Sequence, residues 1–187
     1  MNDDIRLVRK ALKGDRKAFE MIVVRYQQPL VNYLARMTGE REAALDFAQD
    51  VFLKAYSSLD SYRPSFKFST WLFKIASNHM IDHWRKKRIT AVSLDQPFDD
   101  DEPSRLIQVE DHEPSVARKY ELAEIRGRIE GALREIPAGL RELFVLRHIN
   151  EFSYEEIADI KGLPVGTVKN RVFQAKETLR RRLEAAP

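Results

Sequence analysis

The stretch FSYEEIADIKGLPVGTVKNRVFQAK, residues 152–176, decides the reading of this chain. It has the pattern of a short helix, a tight turn and a second helix rich in Lys, Arg, Asn and Gln. Ser153 is placed to cap the first helix, with Glu156 three residues later at the capping-box spacing. Ile157 and Ala158 then face inward. Gly162 supplies the turn, where a left-handed backbone is easiest without a Cβ. Pro164 suits the first turn of the next helix, because it has no amide hydrogen to lose there. Val165, Val168 and Val172 follow at helical spacing and lock the second helix onto the first. Thr167, Lys169, Asn170, Arg171, Phe173, Gln174 and Lys176 are left for solvent, packing or a partner. Such a helix has the shape and chemistry to enter a DNA major groove. The plainer alternative is a helical hairpin with a solvated polar face. The small residues Ala158, Gly162 and Val168 favour the DNA reading, but a helix-turn-helix alone does not say what the binding serves.

Upstream of this stretch the chain is patterned as helices throughout. From residue 115, Leu122, Ile125, Ile129 and Leu133 share a face until Ile136-Pro137, and Leu140, Leu143, Phe144, Val145 and Leu146 form a short apolar helix. Four helices are readable before residue 92. Asn2 or Asp3 caps the first, which runs to about Lys13, and Asp15 caps a second that ends at Thr38-Gly39. In the third, about residues 40–58, Ala44, Phe47, Ala48, Val51, Phe52, Ala55, Tyr56 and Leu59 keep to one face at helical steps. Asp46, Gln49, Asp50 and Leu53 lie away from the centre of that stripe. Ser69 or Thr70 is the expected cap of a fourth helix, which ends in the basic run Arg85-Lys86-Lys87-Arg88.

Between the two helical regions the composition changes. Asp95, Asp99, Asp100, Asp101, Glu102, Glu110, Asp111 and Glu113 face a single Arg105, and Pro97, Pro103 and Pro114 interrupt them. This is a linker, with too little apolar content to bury and strong self-repulsion. The expected architecture is therefore all-α: a helical bundle over residues 1–92, a flexible acidic linker over 93–117 and a helix-turn-helix domain over 118–187.

The segment from Tyr62 to Arg88 mixes rings with cations. Phe66, Phe68 and Trp71 cluster at the loop and helix start, with Lys67, Lys74, Arg85 and Lys86 nearby. Rings interleaved with cations suit single-stranded nucleic acid, because unpaired bases stack on the rings at roughly 1–3 kcal/mol each while cations track the phosphates. For residues 72–76 an ordinary core role is the better reading; for Phe66 and Phe68, beside Lys67, it is the weaker one.

Composition excludes several other classes. The 187 residues include no cysteine, which removes disulfides, zinc-thiolate sites and thiol catalysis. A formal net charge of +3 is modest, but a pI of about 9.1 is compatible with nucleic-acid binding. No apolar run approaches the roughly 20 residues that span a bilayer, and the opening MNDDIRLVRK is acidic and amphipathic, unlike a secretory signal. The expectation is a cytoplasmic protein without membrane insertion.

Together, FAQDVFLKAYSSLDSYRPSFKFSTWLFKIASNHMIDHWRKKR and LRELFVLRHINEFSYEEIADIKGLPVGTVKNRVFQAKETLRRRL resemble the two domains of an extracytoplasmic-function (ECF, group IV) bacterial RNA polymerase sigma factor. The resemblance covers nearly the whole chain, with both motifs in the family's order. It implies that Asp46, Gln49, Asp50 and Leu53 dock on the clamp coiled coil of core RNA polymerase. It implies that Phe66, Lys67, Phe68, Ser69, Thr70 and Trp71 form the loop that captures an unpaired minus-ten base. Asn78, Asp82 and Arg85 would follow near the single-stranded non-template strand. Thr167, Lys169, Asn170, Arg171, Phe173 and Gln174 match the helix that reads the duplex minus-thirty-five element. The chain departs from the family at Lys169 and Gln174, where several members carry Arg. Lys lacks the bidentate fork that Arg offers guanine, whereas Gln can pair with adenine. The resemblance also implies an anti-sigma factor as partner, and neither a cofactor nor a small-molecule substrate.

Other classes remain in view. His79 and His83 stand four apart, a metal-ligand spacing, but Met80 occupies the position where the zincin motif needs Glu and no third ligand is evident. Asp82 more simply pairs with Arg85 or Lys86. No phosphate loop or nucleophile motif supports an enzyme. A self-sufficient DNA-binding regulator would bind duplex tightly without polymerase, and a protein-binding adaptor would tolerate loss of Lys169, Arg171 and Lys176.

Overall fold

The computed structural model describes residues 3–92 and 116–185, with side chains for 3–85 and 124–184. Residues 93–115 of the proposed linker and the side chain of Lys86 therefore lie outside the described residues, while residues 116 and 117, also expected in the linker, already belong to a helix. Helices α1 (Asp3–Leu12), α2 (Arg16–Thr38), α3 (Arg41–Ser57) and α4 (Phe68–Val92) precede the linker, with a short 3-10 turn at Leu59–Ser61. Helices α5 (Val116–Arg134), α6 (Ala138–His148), α7 (Tyr154–Lys161) and α8 (Val165–Ala185) follow it. No strand occurs among the described residues, and no helix there is long and apolar enough to cross a membrane.

Local chemistry sets most boundaries. Asp15 caps α2, its Oδ1 accepting from the Ala18 amide at 3.2 Å, and Gly39 ends that helix at φ 82°. In α3 the expected inward stripe holds at Ala44, Ala48, Val51, Phe52 and Ala55, but Tyr56 is 47% exposed and edges onto Phe19 instead. Ile125 of α5, expected inward, is likewise 45% exposed. The start of α4 also differs from expectation. Neither Ser69 nor Thr70 caps it; the helix already begins at Phe68, and the Trp71 amide donates to the Lys67 carbonyl. The cause is burial of the Phe68 ring against Tyr26, Tyr62 and Trp71, which commits the chain to helix two or three residues early.

The two helical regions meet directly. One continuous core runs from α1–α4 into α6–α8. Phe73 of α4 packs on Phe152, just before α7, with ring centroids 5.0 Å apart. Helix α4 lies against α7 and α2 against α6. A smaller cluster of Ala132, Leu133, Ile136 and Leu179 fastens α5 to α8.

Candidate nucleic-acid interface

The helix-turn-helix is built as its residues dictate. The Ser153 hydroxyl accepts from the Glu156 amide at 3.1 Å, and the Glu156 carboxylate accepts from the Ser153 amide at 2.8 Å. This reciprocal cap satisfies two otherwise orphaned N–H groups and fixes where α7 begins. Gly162 ends α7 at φ 62°, a left-handed conformation that any Cβ would oppose. Ile157, Ala158, Val168 and Val172 are buried between the two helices. Pro164 precedes α8, and its carbonyl accepts the Val168 amide.

The face of α8 turned away from this core carries Lys169, Asn170, Arg171, Phe173, Gln174 and Lys176, all exposed, with Thr167 half-buried at its edge. Phe173 is 62% exposed, an unusual setting for a large ring. Lys169 leans over the Tyr154 ring, whose other cation neighbour is Arg147, 4.6 Å from the ring centroid. His148, beside this face, is held below its usual pKa by burial and by the charges of Arg147 and Lys176.

The loop before α4 is held by Tyr62, whose buried hydroxyl donates to the Phe66 carbonyl at 2.8 Å. This leaves the Phe66 ring 48% exposed. Phe68 is different: with 0% exposure it has no face free for a base. Thr70 is buried as well, its hydroxyl without a hydrogen-bond partner. The sequence reading that grouped Phe66, Phe68 and Thr70 on one accessible surface is thus corrected. Phe66 is outside, and Phe68 is the anchor beneath it. Trp71 and Ser69 are half-buried, whereas Lys67 is exposed. Lys74, Asn78 and Arg85 are exposed and recur on one side of α4, and Arg85 donates to Asp82 at 2.8 Å.

A third surface lies on α3. Asp46, Gln49, Asp50 and Leu53 are exposed at positions i, i+3, i+4 and i+7, which form one helical stripe. Gln49 and Leu53 border an open groove of about 550 Å³, lined also by Phe19, Val23, Phe52 and Tyr56. Behind the stripe stands His79 of α4. The Lys54 ammonium meets its Nδ1, and its Nε2 lies 3.3 Å from Asp50. Burial, then the Lys54 charge, pushes the His79 pKa below its usual value. His79 and His83 both pack edge-on against Phe47, and no group of three or more His, Cys, Asp or Glu among the described residues could hold a metal ion.

Sequence reasoning missed a polar cluster where the two regions meet. Glu142 of α6 is 3% exposed. Its Oε1 accepts from the Tyr33 hydroxyl at 2.8 Å and the Ser77 hydroxyl at 2.7 Å, and its Oε2 pairs with the Lys161 ammonium at 2.6 Å. Lys161 also donates to Ser77 at 2.8 Å. Burial, then the Glu142 charge, drives the Tyr33 pKa far up, so the phenol stays a donor. A signal did exist. Glu142 shares the α6 face of Val145 and Leu146, and Lys161 shares the α7 face of Ile157 and Ala158, so opposite charges interrupt two apolar faces.

Comparison with known proteins agrees with this geometry. The profile described as Sigma-70 region 2 matches residues 22–89, and Sigma-70, region 4 matches residues 126–179. The RNA polymerase sigma-H factor of Pseudomonas aeruginosa is 31% identical over 97% of this chain and 94% of its own length. The ECF RNA polymerase sigma-E factor of Escherichia coli K12 is 33% identical over 92% and 90%. Among solved structures, CnrH in complex with the cytosolic domain of CnrY aligns over 100% of both chains at 28% identity and TM-score 0.70. The sigma factor RpoE in complex with the anti-sigma factor NepR from Bartonella quintana aligns at 24% identity and TM-score 0.74, covering 91% of this chain and 99% of its own, and so shares the fold.

Proposed function

Because the chain belongs to the ECF family of RNA polymerase sigma factors, which recognise promoters, we propose that its three exposed surfaces divide initiation between them. The outward face of α8 reads the minus-thirty-five duplex. Lys169, Arg171 and Lys176 neutralise phosphates and position the helix, while Asn170 and Gln174 reach base edges. The loop at Phe66 takes an unpaired minus-ten base, with Lys67, Lys74, Asn78 and Arg85 along the path of that strand. The α3 stripe of Asp46, Gln49, Asp50 and Leu53 docks on core polymerase.

The observation that carries this reading is the exposed Phe66 ring held by the Tyr62 hydroxyl beside Lys67. A ring presented in this way offers stacking energy of about 1–3 kcal/mol to a base that has left the duplex. That offsets part of the cost of unpairing, a few kcal/mol per nucleotide. Holding polymerase and both promoter elements at once raises the effective concentration of each weak contact. No bond is made or broken by this chain, so it acts as a non-enzyme without a cofactor. It works in the cytoplasm, where promoter and polymerase are found. An anti-sigma factor is expected as its inhibitor: the sigma factor RpoE was captured with the anti-sigma factor NepR, and CnrH with the cytosolic domain of CnrY.

Permanganate footprinting of a promoter with core polymerase tests the proposal. Reactive minus-ten thymines should appear when this chain is added and vanish with Phe66→Ala. Opening that is unchanged by Phe66→Ala would remove the role given to that ring.

A further inference from the structure

Asp50 and Lys54 stand one turn apart on α3, with the carboxylate N-terminal to the ammonium. That order and spacing ordinarily favour an ion pair along a helix. The Lys54 ammonium lies instead against Nδ1 of His79, on α4. The other ring nitrogen, Nε2, is 3.3 Å from Oδ2 of Asp50. The imidazole therefore stands between a cation and an anion of one helix. Its edge contact with Phe47, ring centroids 5.3 Å apart, seats it there. The His79 side chain is 15% exposed and that of Asp50 60%, so the histidine lies beneath the surface from which the carboxylate projects.

We propose that His79 is a positioning residue for docking on core polymerase: the neutral ring holds Lys54 away from Asp50 and leaves that carboxylate free for a basic partner, and the protonated ring takes the carboxylate for itself. The proposal rests on the reading of the α3 stripe as the docking surface.

The chemistry of the three groups supports it. An ammonium has three donors and no acceptor, so its contact with Nδ1 suits a ring nitrogen that carries no proton, whereas both nitrogens of an imidazolium are donors. Protonation therefore removes the acceptor that Lys54 uses and places a positive ring 3.3 Å from Asp50. The released ammonium has the same carboxylate within reach one turn away. Asp50 is then neutralised from two sides. The stripe's other charged residue, Asp46, is also an exposed acid, so the surface complements a basic partner. A positive charge placed behind it opposes such a partner, in the same direction.

The titratable groups facing the ring are Lys54 and Asp50 from α3 and His83 from α4 itself. Burial, then the Lys54 charge, holds His79 below its ordinary 6.5, and His83 adds to this while Asp50 pulls the other way. The ring is thus neutral above 6.5, and docking should weaken as pH falls below that value.

The test is the affinity of the full chain for core polymerase at about pH 7.5 and about pH 5.0, by anisotropy of labelled chain, with helicity recorded at each. Each variant is compared with wild type at the same pH, which cancels titration of the polymerase. His79→Asn keeps an acceptor near the place of Nδ1 but does not titrate. It should match wild type at the higher pH and bind at least about threefold more tightly than wild type at the lower one. His79→Ala removes the acceptor and should bind about twofold more weakly than wild type at the higher pH, as expected when Lys54 turns to Asp50. Adding Lys54→Met to His79→Ala should restore the affinity, which a merely structural role for His79 would not produce. Identical pH profiles for wild type and His79→Asn, or no recovery on adding Lys54→Met, would overturn the proposal. If His79→Asn loses helicity, Asp50→Asn decides. It should bind more weakly than wild type at the higher pH, by a factor that shrinks at least about threefold at the lower one. A constant factor would overturn the proposal. No effect of Asp50→Asn at the higher pH would remove the docking reading itself, and the role of His79 with it.

Discussion

Phe66 and Phe68 stand two residues apart on opposite sides of one surface: the Phe66 ring is 48% exposed and the Phe68 ring 0%. Alternation at the entry to α4 turns one ring outward and drives the other among Tyr26, Tyr62 and Trp71. Similar residues therefore do different work, and their alanine variants should fail differently. Phe66→Ala should melt within about 0.5 kcal/mol of wild type, because it removes an exposed side chain, and should lose strand opening. Phe68→Ala should cost about 3–5 kcal/mol in denaturant unfolding. Equal melting losses in the two variants would contradict this division.

The helix-turn-helix makes a second prediction, about salt. Each of Lys169→Ala, Arg171→Ala and Lys176→Ala should lower the slope of log affinity against log salt by about one for duplex promoter binding by the polymerase complex. Gln174→Ala should leave that slope unchanged but weaken discrimination at one base pair by about 1–3 kcal/mol. Measuring affinity over a salt series on matched and mismatched duplexes separates these effects.

Much of this was legible in the sequence. The cap at Ser153, the left-handed Gly162 and the valine spacing of α8 are local signals, and local chemistry made each of them. The α3 stripe was legible for the same reason, since its polar positions fall between apolar ones at fixed helical steps. What escaped is non-local. The burial of Phe68 depends on Tyr26 and Tyr62, which come from elsewhere in the bundle. The Glu142 cluster depends on Tyr33 and Ser77, more than sixty residues away. Periodicity marks Glu142 as a charge on an apolar face, but only the packing of α2 and α4 against α6 and α7 names its partners.

The capping box carries a pH signature. Burial opposes ionisation of Glu156, but the Ser153 amide and the Lys67 ammonium outweigh it and hold the carboxyl below its usual 4.5. A carboxylate with a lowered folded pKa stabilises the native state above the unfolded value and loses that contribution as pH falls through the folded one. The stability difference between wild type and Glu156→Gln should therefore be constant above about pH 5.5 and shrink below 4.5. Urea titrations at several pH values would show it. A difference that grows with acidity would contradict the assignment.

His79 predicts the opposite end of the scale. Its pKa is lowered by burial and by Lys54, with Asp50 pulling the other way and His83 adding to the depression. A histidine kept neutral in the fold stabilises it fully above the unfolded value of 6.5 and progressively less as pH falls from there toward the folded value. His79→Asn should flatten the stability profile just below pH 6.5. A slope unchanged by His79→Asn would contradict this.

The α3 stripe is tested by Leu53→Asp, at a position 68% exposed. The variant should keep wild-type melting and lose at least about tenfold in affinity for core polymerase, as expected where a well-placed apolar contact is lost at an interface. Co-migration with core enzyme, set against a melt of the free chain, distinguishes loss of docking from loss of fold.

The most direct measurement is run-off transcription by purified core polymerase on a randomised promoter library, with and without this chain. The account predicts initiation at a shared pair of minus-ten and minus-thirty-five sequences only when the chain is present, abolished by Phe66→Ala and by Leu53→Asp. Silence on every promoter from a folded, polymerase-bound chain would contradict it.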